Sequence, residues 1–336
     1  MASLHRAFGL TFAGDAALST LPVWDGGSDS DLDSDSGSGS GSGSDLDLDD
    51  ATRVRMLAPS AELPWPTDGA ERILQEGAPG SPLERFAERH PDAGLRLFAA
   101  GFGEAVISAD GRLVTGLPRE ERPGRFERLL VGRVLPWTAL VRGLEVLHAA
   151  AVTIEGRAVL LIGQSGAGKT SVALRLVLAG AEFLTDDVLA VDRDPGARLR
   201  AHPGALVAGL RAAERARLAT AQRAALGPLR ELDDKAYATL GPRPEPAPLG
   251  AVFFLTRPQT EGGPLVERLA RPPAELLLAS TFVLSVRSPA RLANLLELCA
   301  DIAAAVPQYR VRITGETGAA DTAEAIRAVA VKTLSR

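Results

Sequence analysis

Apolar residues along this chain follow two habits. In the first third they alternate with polar ones: Thr52-Arg-Val-Arg-Met56 predicts a strand, and residues 104–115 predict two strands around an Asp110-Gly111 turn. Ser81 to His90 predicts a short helix. FGLTFAG and Leu21-Pro-Val-Trp24 predict a strand and a turn near the start. Together these make a small α+β domain over 1–126. From 127 a largely apolar helical segment runs to Gly143, with Pro136 kinking or breaking it. It opens a second domain, 127–336, of the α/β class. Ala158 to Ile162, Ala251 to Thr256 and Phe282 to Val286 are unbroken apolar runs that read as buried strands; Glu182 to Thr185 and Tyr309 to Ile313 add two more. Helices are expected over Lys169 to Ala179, stopped by Gly180, over Leu210 to Ala225, and from Ser288-Pro289 onward. The last would bury Leu292, Leu295, Leu296, Cys299, Ile302, Ala303 and Val306 on one face.

Composition modifies this picture at one place. Nine aspartates and no Lys or Arg lie between Asp25 and Asp50, around a Gly-Ser core. Such a stretch cannot offset its ordering entropy with buried apolar surface, so 25–50 is expected to be a disordered acidic insertion. Setting those nine charges aside turns the formal −5 into +4 for the rest. That mild balance suits an anionic small molecule. With no basic stripe or aromatic platform, no nucleic acid is expected as a partner. The opening residues make a poor signal peptide, and Leu276 to Val286, the longest uncharged apolar stretch near the C-terminus, is far below the roughly 20 residues of a span. One cysteine allows no internal disulfide. No membrane association and a cytoplasmic location are the expectations; a homo-oligomer is left open.

The chemistry concentrates in Gly163-Gln164-Ser165-Gly166-Ala167-Gly168-Lys169-Thr170, with Ser171 following. This fits G-x-x-x-x-G-K-[ST] with a strand before it and a helix after it, the context a phosphate-binding loop requires. Its glycines would turn backbone N–H groups onto phosphate oxygens at a helix N-terminus. Lys169 would reach the β- and γ-phosphates of ATP and Thr170 a bridging Mg²⁺. After the next strand comes an acid pair, Asp186-Asp187, which a right-handed crossover would bring beside the loop. One acid suffices for a metal; a second permits a base.

The string LHAAAV, the loop fifteen residues beyond its histidine, the acid pair and the closing VPQYRVRI resemble the C-terminal catalytic domain of HPr kinase/phosphorylase. The similarity is closer to the HPr-kinase-related serine kinases, some of which accompany peptide natural-product clusters. The resemblance implies a fold of the HPr kinase and phosphoenolpyruvate carboxykinase type. It also implies roles: Asp186 as the base facing the acceptor hydroxyl, Asp187 as a metal-side acid beside Thr170, and His148 as a partner of the pair. Lys235 resembles a lysine of the related kinases and reads equally as a solvent-exposed one. The family's downstream E-x-R-G-x-G signature is missing, with residues 201–211 in its place, so the resemblance leaves open whether HPr or phosphorolysis is involved. The expected activity is transfer of the γ-phosphate of ATP to a Ser or Thr hydroxyl of a peptide or small protein. The alternative is a nucleotide-binding regulator that transfers nothing.

Overall fold

The computed structural model describes residues 3–14, 50–121, 124–241, 244–256, 265–270, 274–282, 288–313 and 318–335. The architecture is mixed α/β with three sheets. Before residue 122 the described residues form one eight-stranded sheet: β1 (Ser3–Ala7), β2 (Leu10–Gly14), β3 (Thr52–Met56), β4 (Glu71–Glu76), β5 (Arg85–His90), β6 (Gly94–Ala99), β7 (Gly103–Ile107) and β8 (Leu113–Pro118), in the spatial order β1-β2-β3-β8-β7-β6-β5-β4.

This corrects the α+β expectation, because the helix expected over Ser81 to His90 is strand β5 and no α-helix occurs among the described residues before Arg125. The charges that look like helix-face pairs in sequence are spent across strands. Arg72 binds Glu88 at 2.8 Å, Arg89 binds Glu71 at 2.6 Å and Arg96 binds Glu88 at 3.3 Å. Phe86 stacks on Phe98 at 4.8 Å with Arg72 over its other face. The strand before the acidic stretch is half of a hairpin turning at Phe8-Gly9. The turn expected at Leu21 to Trp24 and the expected insertion up to residue 49 lie outside the described residues. Asp50, assigned to it from sequence, is instead tied down by Arg112 at 3.1 Å and by Arg142.

The bridging helical segment comprises α1 (Arg125–Leu129), a π turn over Leu130–Val134, and α2 (Leu135–Val141). Pro136 has no N–H to give, and the ladder before it widens so that the Leu135 N–H reaches Leu130 O, five residues back. The kink is therefore spread into one broad turn. Trp137, 1% exposed, anchors α2 in a core shared by Phe8, Phe12 and Ile107 of the first sheet and Val146, Val188 and Ala190 of the second.

Nine strands make that second sheet. In chain order the elements are β9 (Glu145–Leu147), β10 (Ala149–Ile154), β11 (Arg157–Ile162), α3 (Lys169–Leu178), β12 (Glu182–Thr185), β13 (Leu189–Arg193) and β14 (Leu199–His202), then β15 (Val207–Arg211), α4 (Ala212–Arg217), α5 (Thr220–Ala225), β16 (Leu229–Leu232) and β17 (Lys235–Thr239), then β18 (Ala247–Thr256), β19 (Val266–Arg268), α6 (Ala274–Ala279), α7 (Pro289–Ala305), β20 (Gln308–Arg312) and α8 (Ala319–Leu334). The path β12-β10-β11-β18-β14-β13-β9 runs through the sheet, with β19 and β20 joined at β18. Strand β11 is apolar at every position but its first because both faces are covered. Ala158, Leu160 and Ile162 pack toward α6 and α7, and Val159 and Leu161 toward α3 and α8.

Three local readings change. The helix expected over Leu210 to Ala225 begins as strand β15 and divides into α4 and α5 at Leu218-Ala219, both of which are extended in φ and ψ; β15, β16 and β17 form the third sheet. Pro242 to Pro248, whose four prolines read in sequence as a stiff connector, is already strand at Ala247. In α7 the buried face is Leu295, Leu298, Cys299 and Ile302, whereas Leu292 and Leu296 are 38% and 55% exposed. Ser288 caps that helix by accepting from the Arg291 N–H at 3.1 Å. The expected strand beyond Phe282, with Arg287, lies outside the described residues.

Asp192 pins β13 to β14, accepting from Arg200 at 2.7 Å and lying 2.9 Å from His202 Nε2. Burial acts to raise its pKa, but the His202 and Arg200 hydrogen bonds outweigh it and hold the carboxyl at about 2. A folded-state value below the unfolded one of roughly 3.9 stabilises the protein above that pH, and the contribution is lost as pH falls toward 2. Asp192→Asn should therefore flatten the acid-unfolding curve between about pH 4 and 2. An acid titration followed by circular dichroism with the wild-type slope would refute that role.

Candidate active site

The phosphate-loop geometry follows from where glycine is required. Gly163 lies so close under β18 that a Cβ would sit 2.8 Å from Leu255 O. Gly168 caps α3 in the left-handed region at φ 98°, which only glycine adopts without cost. Gly166, also left-handed, faces open space. Residues 162–167 line a cavity of about 610 Å³, completed by His148, Phe254 to Thr256, Leu276, Ala279 and Ser280.

Lys169 is 5% exposed, and its Nζ donates to Gly163 O at 2.8 Å and lies 3.1 Å from His148 Nε2. Burial lowers the Lys169 pKa, opposed by the charges of Asp187 and Asp186. His148 occupies the bend between β9 and β10, fixed by its N–H to Ser280 O at 2.5 Å. Burial and then Lys169 lower its pKa, so the ring is neutral near pH 7 and can accept from Lys169.

The acid pair follows β12. That strand is not the neighbour of β11: β10 lies between them, antiparallel to both. The crossover through α3 therefore skips one strand, and it still delivers the pair to the loop. Thr170 Oγ1 donates to Asp186 Oδ1 at 2.7 Å, and the Gly209 N–H donates to Asp186 Oδ2 at 3.3 Å. Burial and the adjacent Asp187 push the Asp186 carboxyl up to about 7. Asp187 is left-handed at φ 66°, in a turn closed by the Val188 N–H to Asp186 O at 2.8 Å. That conformation costs a non-glycine residue on the order of 1 kcal/mol.

Lys169, Thr170, His148, Asp186 and Asp187 are thus brought together, and Gln164 to Ala167 border the loop cavity. Ser171 is directed elsewhere, donating to Glu214 of α4 at 2.8 Å. Sequence reasoning missed a second cavity of about 310 Å³ on the far side of His148, bounded by Asp186, Asp187, Gly209, Lys235 and Tyr237, by Arg85 and Phe102 of the first sheet's edge, and by Arg128 to Arg133 without Leu130. Lys235 belongs to this wall and not to open solvent. The arginines carry no motif; they converge from separate elements.

The oxygens of Thr170 and Asp187 are hard donors of the kind that would hold Mg²⁺ alongside phosphates. Among the described residues no three His, Cys, Asp or Glu side chains could hold a metal unaided. The open face of the loop at Gly166 leaves room for those phosphates.

Among the described residues no helix is long and apolar enough to cross a membrane. No family model and no curated protein matches the chain. Among solved structures, an HPr(Ser) kinase/phosphatase from Coxiella burnetii aligns at 12% identity and a TM-score of 0.31, covering 56% of this chain and 97% of that one. A likeness of that size places the two side by side and assigns no activity.

Proposed function

We propose that this protein is an ATP-dependent phosphotransferase of the HPr-kinase-related type that passes the γ-phosphoryl group to a Ser or Thr hydroxyl of a peptide or small protein. The observation that carries the reading is the contact chain from Lys169 to His148 and from Thr170 to Asp186, set between two cavities that share His148. The loop amides and Lys169 hold the triphosphate on one side. The acceptor hydroxyl enters from the other.

Asp186 takes the proton of that hydroxyl; a carboxyl raised to about 7 is a stronger base than an ordinary one and is still ionised in good part at neutral pH. Thr170 and Asp187 are the residues that would hold magnesium, which when bound neutralises charge on the β- and γ-phosphates. His148, neutral, orients the Lys169 ammonium.

Lys169→Ala removes a charge-assisted contact and should weaken ATP binding by about 1.5 to 3 kcal/mol. Calorimetric titration checks it, and unchanged affinity would sink the nucleotide assignment.

A further inference from the structure

The second cavity has a charge problem that the phosphotransfer reading leaves unsolved. Its wall carries Arg85, Arg128, Arg133 and Lys235, while its carboxylates are Asp186 and Asp187. The acids outside the wall are shared. Glu76 serves Arg133 at 3.0 Å and Arg85 at 3.8 Å, and Asp233 serves Arg125 at 2.8 Å and Arg128 at 3.4 Å. Burial and then Arg133 lower the Arg85 pKa; Glu76 opposes them, and Arg128 adds to the lowering. The guanidinium groups on this wall therefore repel one another, against the pull of Glu76.

The fold nevertheless holds these groups in place. The Arg85 guanidinium lies 5.9 Å from the Phe102 ring centre and that of Arg128 5.9 Å from Tyr237, both rings being part of the same wall. The π turn brings Arg133 round to the cavity that Arg128 faces, a placement that i→i+5 bonding favours for residues five apart. Near the acid pair, a Cβ on Gly209 would be 3.5 Å from Lys235 Nζ, and the Gly209 N–H is the group that binds Asp186. Cations convergent on a half-enclosed space, next to the base, make a receptor for an oxyanion.

We infer that Arg85, Arg128 and Arg133 bind a carboxylate or phosphate group of the acceptor itself, so that the substrate is a hydroxyl compound bearing an anionic group close to the hydroxyl. This rests on the phosphotransfer reading for its use, but not for its detection. The acceptor's anion supplies the missing charge and fixes its distance from Asp186, so that a neutral hydroxyl compound is held poorly.

The test begins with inorganic phosphate as the probe, titrated calorimetrically at low ionic strength. The wild type should bind phosphate at two places, the loop and the arginine wall. Lys169→Ala should lose the first and keep the second; Arg85→Gln with Arg133→Gln should weaken the second at least about tenfold while ATP affinity stays as in the wild type. Arg85→Lys with Arg133→Lys should retain much of the binding, and Arg128→Gln alone gives an independent variant if the double glutamine protein does not fold. If Lys169→Ala binds no phosphate at all, the arginine site is overturned and the nucleotide site stands. If Lys169→Ala leaves ATP binding intact while the arginine variants lose phosphate, the nucleotide reading fails and the arginine site stands.

Transfer from γ-labelled ATP then assigns the anion. The arms are a serine peptide with flanking aspartates, its asparagine counterpart, and glycerate as a small hydroxy acid. Labelling of an anionic arm, with KM raised about tenfold or more by Arg85→Gln, supports the inference and tells peptide from small acid. Equal labelling of the asparagine peptide overturns it; labelling of none of the three, with phosphate still bound at the arginine wall, overturns the phosphotransfer reading instead.

Discussion

Asp186→Asn should abolish most phosphoryl transfer, by about 10² to 10⁴, the loss expected when general-base help is removed, while magnesium-ATP affinity stays nearly unchanged. The asparagine is isosteric and its amide oxygen can still accept from Thr170, with only the longer 3.3 Å bond from the Gly209 N–H given up, so the loop keeps its shape. It cannot take a proton. Asp187→Asn should act differently, raising the magnesium concentration needed for half-maximal ATP binding. The pH dependence follows from the same carboxyl. A base raised to about 7 by burial and by Asp187 must be ionised to work, so transfer should rise with pH and level off near that value. A magnesium ion beside it moves the midpoint downward. A regulator without an acceptor would pass ATP titration, show no transfer in wild type or mutant, and still change its proteolysis pattern with ATP; that combination would replace the kinase reading.

Trp137→Ala should cost about 3 to 5 kcal/mol of stability, as expected for emptying a fully buried aromatic site. The residue sits in α2 directly after the Pro136 position, and its core contains side chains of both large sheets. Surrounding groups come from strands paired within their own sheets, which limits how far they can collapse into the void. Val188 follows the acid pair and Val146 lies two residues before His148, and both belong to this core. The variant should therefore also lose transfer activity before it loses ATP binding, because Ala167 of the loop packs in a separate cluster with residues of α3 and α8. Denaturant unfolding and ATP titration of the same preparation decide the point; equal loss of both functions would contradict it.

What could be read from the chain was what depends on neighbours in sequence. The loop, its strand and helix, the acid pair and the cap at Ser288 are each set by a few consecutive residues, and the geometry brings the loop and the pair together. Strand β5 was misread because Arg85, Glu88 and Arg89 carry the spacing of a helical face, while their partners are residues of β4 and β6. Leu210 and Arg211 were read as helix because alanines and arginines follow them, although both pair with β17. The insertion of β10 between β11 and β12 has no local signature, since it is decided by which apolar strands cover which faces. The arginine wall was invisible for the same reason: its members are ordinary surface-type residues until three elements bring them to one place.

The widened turn at Leu130–Val134 has a consequence for how this chain can vary. An α-helix advances about 100° per residue, so a segment holding one surplus residue lets its two ends keep separate angular registers. Arg125 to Leu129 can answer to the cavity and the third sheet, and Leu135 to Val141 to the central core, without either dictating the other's phase. Removing Gly132, whose position has nothing within 4 Å of a built Cβ, would restore a regular ladder and rotate one half against the other by that angle. A one-residue deletion there would then misalign two walls at once, whereas a side chain added at the same position would only project into the cavity that Gly132 lines.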